Sequence, residues 1–275
     1  MLSFLGAGLL PMGRFFRYLG GKTFLMPKLL PLIPPHTIYV EVFGGSAEFL
    51  FSKPPATIEV YNDVDGELVN LFEVVRTRFL EFKEHLKFLV YSRELKKRWE
   101  GSAPLDPVER AVRAWYIYMS AFQGQKNSGW AYARTVNHAK AFRRKIESLH
   151  KIYDRIKDCY IEHNDFRACF SSWDTPNTFF FLDPPYRKVH QANGIALTDE
   201  DYEDLATCCS SMQGKFLLTV GVDSFIRKVF APGKFITNVE RCMRSSKPVT
   251  RTLKGKRGTY QNLVIRNYRK PRQTK

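Results

Sequence analysis

Residues 179–188 read FFFLDPPYRK, an apolar run driven straight into Asp183, Pro184, Pro185 and Tyr186. Proline has no N–H to give, so the pair ends a strand and strips two donors from the place where it ends. What remains is rich in acceptors: the Asp183 carboxylate and the carbonyl groups beside the prolines. Such a corner suits a hydrogen-bond donor, for example an exocyclic amine. Tyr186 adds a flat face on which a planar ring can stack. No metal-ligand spacing accompanies it. The five cysteines, at 159, 169, 208, 209 and 242, form no C-x-x-C pair and read as reduced thiols of a cytoplasmic protein.

An acceptor corner needs elements to position it. IYVEVF (38–43) predicts a strand ending at Gly44-Gly45, and SAEFLFS (46–52) a helix that Ser46 can cap. ATIEVY (56–61) predicts a second strand, closed by Asn62-Asp63. From Asp65 to about Val75, Leu68, Leu71, Phe72 and Val75 recur at helical spacing. Further on, CYIEHNDF predicts a strand ending at Asp165 and TFFFLDPPY one ending at Asp183. A helix capped by Thr198 runs to about Met212, and strands are expected at 215–221 and 258–268. This alternation predicts an α/β fold, a Rossmann-like sheet with helices on both faces. Ligands of such sheets sit at the carboxyl ends of the strands. Glu41, Phe43 to Ser46, Asp63, Asp165 and Asp183 all fall there. Gly44-Gly45 is either a tight turn or a close approach of backbone to ligand, and Asp63 is placed to bond a ribose hydroxyl. F-G-G-S is not G-x-G-x-x-G, so a nicotinamide cofactor is not supported.

The middle of the chain breaks the alternation. Residues 76–120 are charged and helical, 123–137 (QGQKNSGWAYARTVN) have no period, and 138–157 return to one basic amphipathic helix. The expected organisation is a discontinuous catalytic domain, 1–75 and 156–275, with an inserted, mainly helical segment at 76–155. The formal charge is +16, from 43 Lys and Arg against 27 Asp and Glu, and residues 241–275 hold 12 Lys or Arg and no acid. A surface of this kind attracts polyanions, nucleic acid first; a solvated basic tail is the plainer reading. Candidate nucleic-acid contacts are Lys126, Asn127, Trp130 and Arg134 in the aperiodic loop and Arg143 and Arg144 on the basic helix. Lys247, Arg251, Lys254, Lys256 and Arg257 in KPVTRTLKGKR are further candidates. Trp130 and Tyr132 can insert between bases or pack within the segment. His163 and His190 flank strand ends and read as surface residues. The apolar N-terminus lacks a positive leader region and falls far short of ~18 residues, so neither a signal peptide nor a membrane anchor is expected. Met12 offers an alternative start.

DPPY after an apolar strand, with FGGSAEF, YNDVDGELVNLF and HNDF upstream, resembles the Dam-like group of S-adenosylmethionine-dependent DNA adenine N6-methyltransferases. RYLGGKTFLMPKLLPLIPPH is similar to that group's opening segment. The resemblance covers most of 16–75 and 160–186, with a weaker echo at GTYQNLVIRNY. It implies S-adenosylmethionine as cofactor, contacted by Tyr18 and Lys22 and by the loop Phe43, Gly44, Gly45 and Ser46. It further implies that Asp63 bonds the donor's ribose and that Asp165 with Phe166 holds its adenine. On the substrate side, Asp183 and the Pro184 carbonyl would accept from the amino group of a flipped-out adenine, beside Pro185, with Tyr186 stacking on the base. Two departures are visible. Glu48 follows Ala47 where the group carries a third small residue. SAFQGQKNSGWAYAR also stands in place of the asparagine-rich hairpin of GATC readers, so GATC specificity is not expected. The implied partner is double-stranded DNA, met by a monomer without metal or membrane, with a paired restriction enzyme in view. Cytosine N4, RNA adenine or a protein amide are alternative substrates, and an inactive core that only binds DNA is an alternative of another class.

Overall fold

The computed structural model describes residues 13–18, 20–187, 195–231, 235–243 and 259–271. The first element, α1 (Met26–Leu29), is a single turn. Then β1 (Ile38–Glu41), α2 (Glu48–Ser52), β2 (Ile58–Asn62) and α3 (Gly66–Thr77) alternate as the apolar pattern demands. Five helices follow: α4 (Phe79–Lys87), α5 (Arg93–Glu100), α6 (Pro107–Ser120), α7 (His138–Glu147) and α8 (Leu149–Ile156). The alternation resumes with β3 (Tyr160–Glu162), α9 (Phe166–Trp173), β4 (Thr178–Leu182), α10 (Asp199–Ser211), β5 (Lys215–Gly221) and α11 (Ser224–Val229). β6 (Ile236–Met243) and β7 (Thr259–Arg266) close the sheet.

The strands form one seven-stranded sheet in the order β3-β2-β1-β4-β5-β7-β6. The first five are parallel, and β7 runs antiparallel to both β5 and β6. The strand period of two sorts the side chains onto two faces. Tyr39, Tyr61, Phe179, Phe181, Leu217 and Val264 belong to one core with α2, α3, α6 and α8. Val40, Val60, Phe180, Leu182, Phe216, Leu218 and Ile265 belong to the other, with α9, α10 and α11. Burying each such aromatic or aliphatic side chain contributes about 1.5–3 kcal/mol. β4 is buried at all five positions, which is why it reads as a continuous apolar run.

Several local expectations need correction. Ser46 does not cap α2: Ala47 is the capping residue, in the left-handed region at φ 54, with no side-chain hydrogen bond, so the helix starts only at Glu48. β3 stops at Glu162, and Asp165 instead caps α9, accepting from Arg167 N–H. The helix expected over 138–157 is two helices that break at Ser148. α9, α11 and β6 had no counterpart in the sequence reading. Thr198 does cap α10, in a reciprocal capping box with Asp201.

Residues 76–155 share a core with the sheet rather than burying one of their own. Phe82, Trp115, Phe142, Leu149 and Ile152 lie in the same apolar cluster as Leu71, Phe72 and Phe181. The N-terminal segment is built into it too, with Phe15 and Phe16 buried and the Trp115 indole N–H donating to the Phe15 carbonyl at 3.2 Å. No helix among the described residues is long and apolar enough to cross a membrane.

Candidate active site

The carboxyl ends of β1, β2 and β4 open into a cleft with a cavity volume of about 150 Å³. Its wall includes Tyr18, Lys22, Phe43, Gly44, Gly45, Ser46, Asp63 and the whole Asp183–Tyr186 corner. Chain order therefore becomes spatial convergence: the glycine loop after β1, the acid after β2 and the proline corner after β4 share one space.

The glycine loop is pinned from below. A Cβ on Gly44 would lie 2.2 Å from the Tyr61 ring, and Gly45 sits at φ +51, where a Cβ would lie 3.0 Å from Tyr18 Cε1. Only glycine meets both demands. The Gly45 N–H donates to Asp63 Oδ2 at 2.6 Å, and its carbonyl accepts from the Tyr61 hydroxyl at 2.9 Å. Asp63 Oδ1 takes the Asp65 N–H at 2.8 Å. Burial pushes the Asp63 carboxyl up to about 6, against the pull of these amides. Asn62 ties three strand ends together: its amide donates to the Val42 and Asn164 carbonyls, and its oxygen accepts from Asn164 N–H. Glu41, fully enclosed, accepts from the Tyr39 hydroxyl and from Leu50 N–H, both at 2.8 Å, and burial pushes it up to about 8. Burial, then the charges of Asp63, Asp65 and Asp183, raise the Tyr18 phenol, which stays neutral.

The proline corner is held by side chains instead. Asp183 Oδ2 accepts from Lys22 Nζ at 2.7 Å, and Oδ1 from the Thr219 hydroxyl at 2.8 Å. Burial raises Asp183, while Lys22 and Thr219 pull it back. Burial draws Lys22 down, but Asp183 and Tyr186 outweigh it and hold the ammonium protonated. The same ammonium donates to the Gly20 carbonyl at 2.8 Å and lies 4.8 Å from the Tyr186 ring centre. The Tyr186 hydroxyl donates to Asn262 Oδ1 at 2.9 Å, and the Tyr202 hydroxyl to the Pro185 carbonyl at 2.5 Å. Thr219 and Asn262 were not singled out in the sequence. Thr219 had a signal, as the one polar residue within the apolar run FLLTV of β5, whereas Asn262 follows Thr259 and Gln261 in β7 and did not stand out.

Asp165 is not on the cleft wall. Its side chain is 51% exposed and pairs with Arg167, and Phe166 packs on Phe43, 5.9 Å between ring centres, behind the wall. Lys126 turns toward the cleft side, 3.4 Å from Asp65 Oδ2, where Asp65 also caps α3. Trp130 is half-buried between Tyr91 and the stacked Tyr132 ring, with the Arg93 guanidinium over it at 5.0 Å. Asn127, Arg134, Arg143 and Arg144 are exposed. His163 Nε2–H donates to the Val64 carbonyl at 3.0 Å, off the cleft wall. His190 and the candidates Lys247, Arg251, Lys254, Lys256 and Arg257 lie outside the described residues. Among the described residues no cluster of His, Cys, Asp and Glu is arranged to hold a metal, and Cys159, Cys169, Cys208 and Cys209 are free thiols.

A 3-2-1-4-5-7-6 sheet with an antiparallel seventh strand, bearing a glycine loop and an acceptor corner in one cleft, defines a Rossmann-like methyltransferase. The chain belongs to the D12 class of N6 adenine-specific DNA methyltransferases, whose family profile matches residues 18–243. It is similar to the Type II methyltransferase M.CviBI of Paramecium bursaria Chlorella virus NC1A, at 25% identity over 258 residues, 92% of this chain and 98% of that relative. The activity of the family is methylation of adenine N6 in DNA, with S-adenosylmethionine as the general donor of such enzymes. Cytosine N4 and RNA recede accordingly.

Proposed function

We propose that this chain binds S-adenosylmethionine in the cleft and carries the methyl group to a single extruded adenine held at Asp183–Tyr186. The observation that carries this reading is the convergence of the glycine loop and the proline corner on one cleft. The residues fit the donor: the Gly44–Ser46 backbone and the Tyr18 ring form a slot, and a buried Glu48 oxygen on its wall has no partner. Bound there, S-adenosylmethionine supplies an electrophilic methyl group on a sulfonium. Tyr18, Phe43, Gly44, Gly45 and Ser46 line its place, and Asp63 acts by fixing the loop. Asp165 caps a helix and is left out of the donor contacts.

The adenine amino group is a poor nucleophile because its lone pair is spread into the ring. Asp183 and the Pro184 carbonyl accept its two hydrogens, favour a pyramidal nitrogen and aim the lone pair outward. Lys22 Nζ now stands 2.7 Å from Asp183 Oδ2, where a substrate donor belongs. Base entry therefore requires the lysine to share that oxygen or withdraw. Extruding the base costs a few kcal/mol, and stacking on Tyr186 offsets about 1–3 kcal/mol of it.

Residues 76–155 serve as the target-recognition segment in this reading, with Arg134, Arg143 and Arg144 facing the phosphates. The description of the viral relative as a Type II methyltransferase supports a paired restriction endonuclease. The test is transfer of labelled methyl from S-adenosylmethionine to unmethylated duplex DNA, with the product nucleoside identified by mass. N6-methyladenine is the expected product, and mapping the modified sites gives the recognition sequence. Donor binding without label in DNA overturns the substrate assignment.

A further inference from the structure

Glu48 is the residue by which this chain departs from the small-residue pattern of the loop, and the reading above gives it no contact of its own. It follows Ser46 and Ala47 on the cleft wall. Its side chain is 11% exposed. One oxygen, Oε1, is fixed by the Arg14 guanidinium at 3.1 Å and by the Thr23 hydroxyl. The other, Oε2, is buried and has no hydrogen-bond partner. A buried carboxylate oxygen without a donor is costly, and a site that keeps one has a donor to receive. Gly21 and Glu48 both line the cleft, and a Cβ on residue 21 would lie 2.6 Å from Oε2, so only glycine lets the carboxylate lie against the wall there. The other cations of the cleft are committed elsewhere. Lys22 is taken by Asp183 and the Gly20 carbonyl, and Arg14 by Oε1 and Thr23.

We infer that Glu48 Oε2 receives the α-ammonium group of the methyl donor's methionine moiety. This rests on the donor occupying the cleft, as proposed above. The donor carries one ammonium and one carboxylate at that end. A fixed anion beside Gly21 draws the first and repels the second, and so sets which way the amino-acid end lies. The adenosine end is untouched by this contact.

Calorimetry tests it without turnover. The ligands are S-adenosylhomocysteine and its desamino analogue, in which hydrogen replaces the amino group. The proteins are the wild type and Glu48→Gln, which keeps an oxygen for Arg14 and Thr23. A charge-assisted hydrogen bond of this kind is expected to be worth about 10- to 100-fold in affinity. Glu48→Gln should therefore weaken S-adenosylhomocysteine by that factor and leave the desamino analogue unchanged. Equal weakening of both ligands assigns Glu48 a structural role and overturns the inference, as does unaltered affinity for S-adenosylhomocysteine. If the wild type binds neither ligand, the donor site itself is misplaced and the inference falls with it.

Discussion

Asp63 and Asp183 follow β2 and β4, on either side of β1; Asp63 is buried and Asp183 partly so, and both are pushed up by desolvation, yet they are satisfied in opposite ways. Asp63 is held by backbone amides of Gly45 and Asp65. Asp183 is held by the side chains of Lys22 and Thr219. A backbone amide cannot leave without moving the chain, whereas a lysine can swing away on four methylenes. The donor half of the cleft is thus a fixed mould, and the acceptor half is an exchangeable socket. The difference matches the tasks proposed for them, in which one half holds the methyl donor and the other takes up a base drawn from DNA.

The largest effect should come from emptying the socket. Asp183→Ala is expected to cut methyl transfer by about 10²–10³-fold or more while DNA binding persists. Substantial turnover in a gel-shift-competent variant breaks the assignment. Next comes the exchangeable partner. Lys22 lowers the Asp183 pKa, so Lys22→Met should raise it, and the acid limb of the pH–rate profile should move to higher pH. An unmoved limb means the lysine does not govern Asp183.

The mould is tested by Asp63→Asn, which leaves one of the two backbone amides facing a poor acceptor, at a cost of about 1–3 kcal/mol in urea unfolding. Its pH dependence has a definite sign. The folded pKa of about 6 lies above the unfolded value, so the wild type's advantage is fullest below about pH 4 and shrinks as pH rises through 6. A gap that widens with pH contradicts the burial argument. On the outer surface, Arg143→Ala with Arg144→Ala should weaken DNA binding and lower the salt slope by about 2, sequence notwithstanding. A slope equal to the wild type's removes α7 from the DNA interface. The smallest effect belongs to Tyr186→Phe, which keeps the stacking face and loses the bond to Asn262, about 1 kcal/mol or roughly 5-fold in transfer rate. A much larger loss would make the hydroxyl part of the chemistry.

Much of this was legible in the chain. Strand and helix positions along the sheet followed from apolar period, as β5 and the Thr198-capped α10 show. The proline corner and the glycine loop announced themselves because their chemistry lies within a few consecutive residues. What the chain could not disclose were the partners. Lys22 reaches Asp183 across 161 positions, and Tyr186 reaches Asn262 across 76. Asp63 turns inward to its own loop, and Asp165 outward to Arg167. These pairings depend on the strand order, which sets β1 between β2 and β4 and lays β7 against β5. The same holds for residues 76–155, whose helices were readable but whose burial on the α3 face of the sheet was not. Local propensity and turn chemistry act over a few residues, so the sequence by itself determined the strands β1, β2, β4 and β5, the helix α10 and the reactive corner, but not α9, α11 or β6. Side-chain neighbours across the sheet arise only once the strands are stacked in register, so the tertiary structure decided which groups hold the corner and which hold the loop.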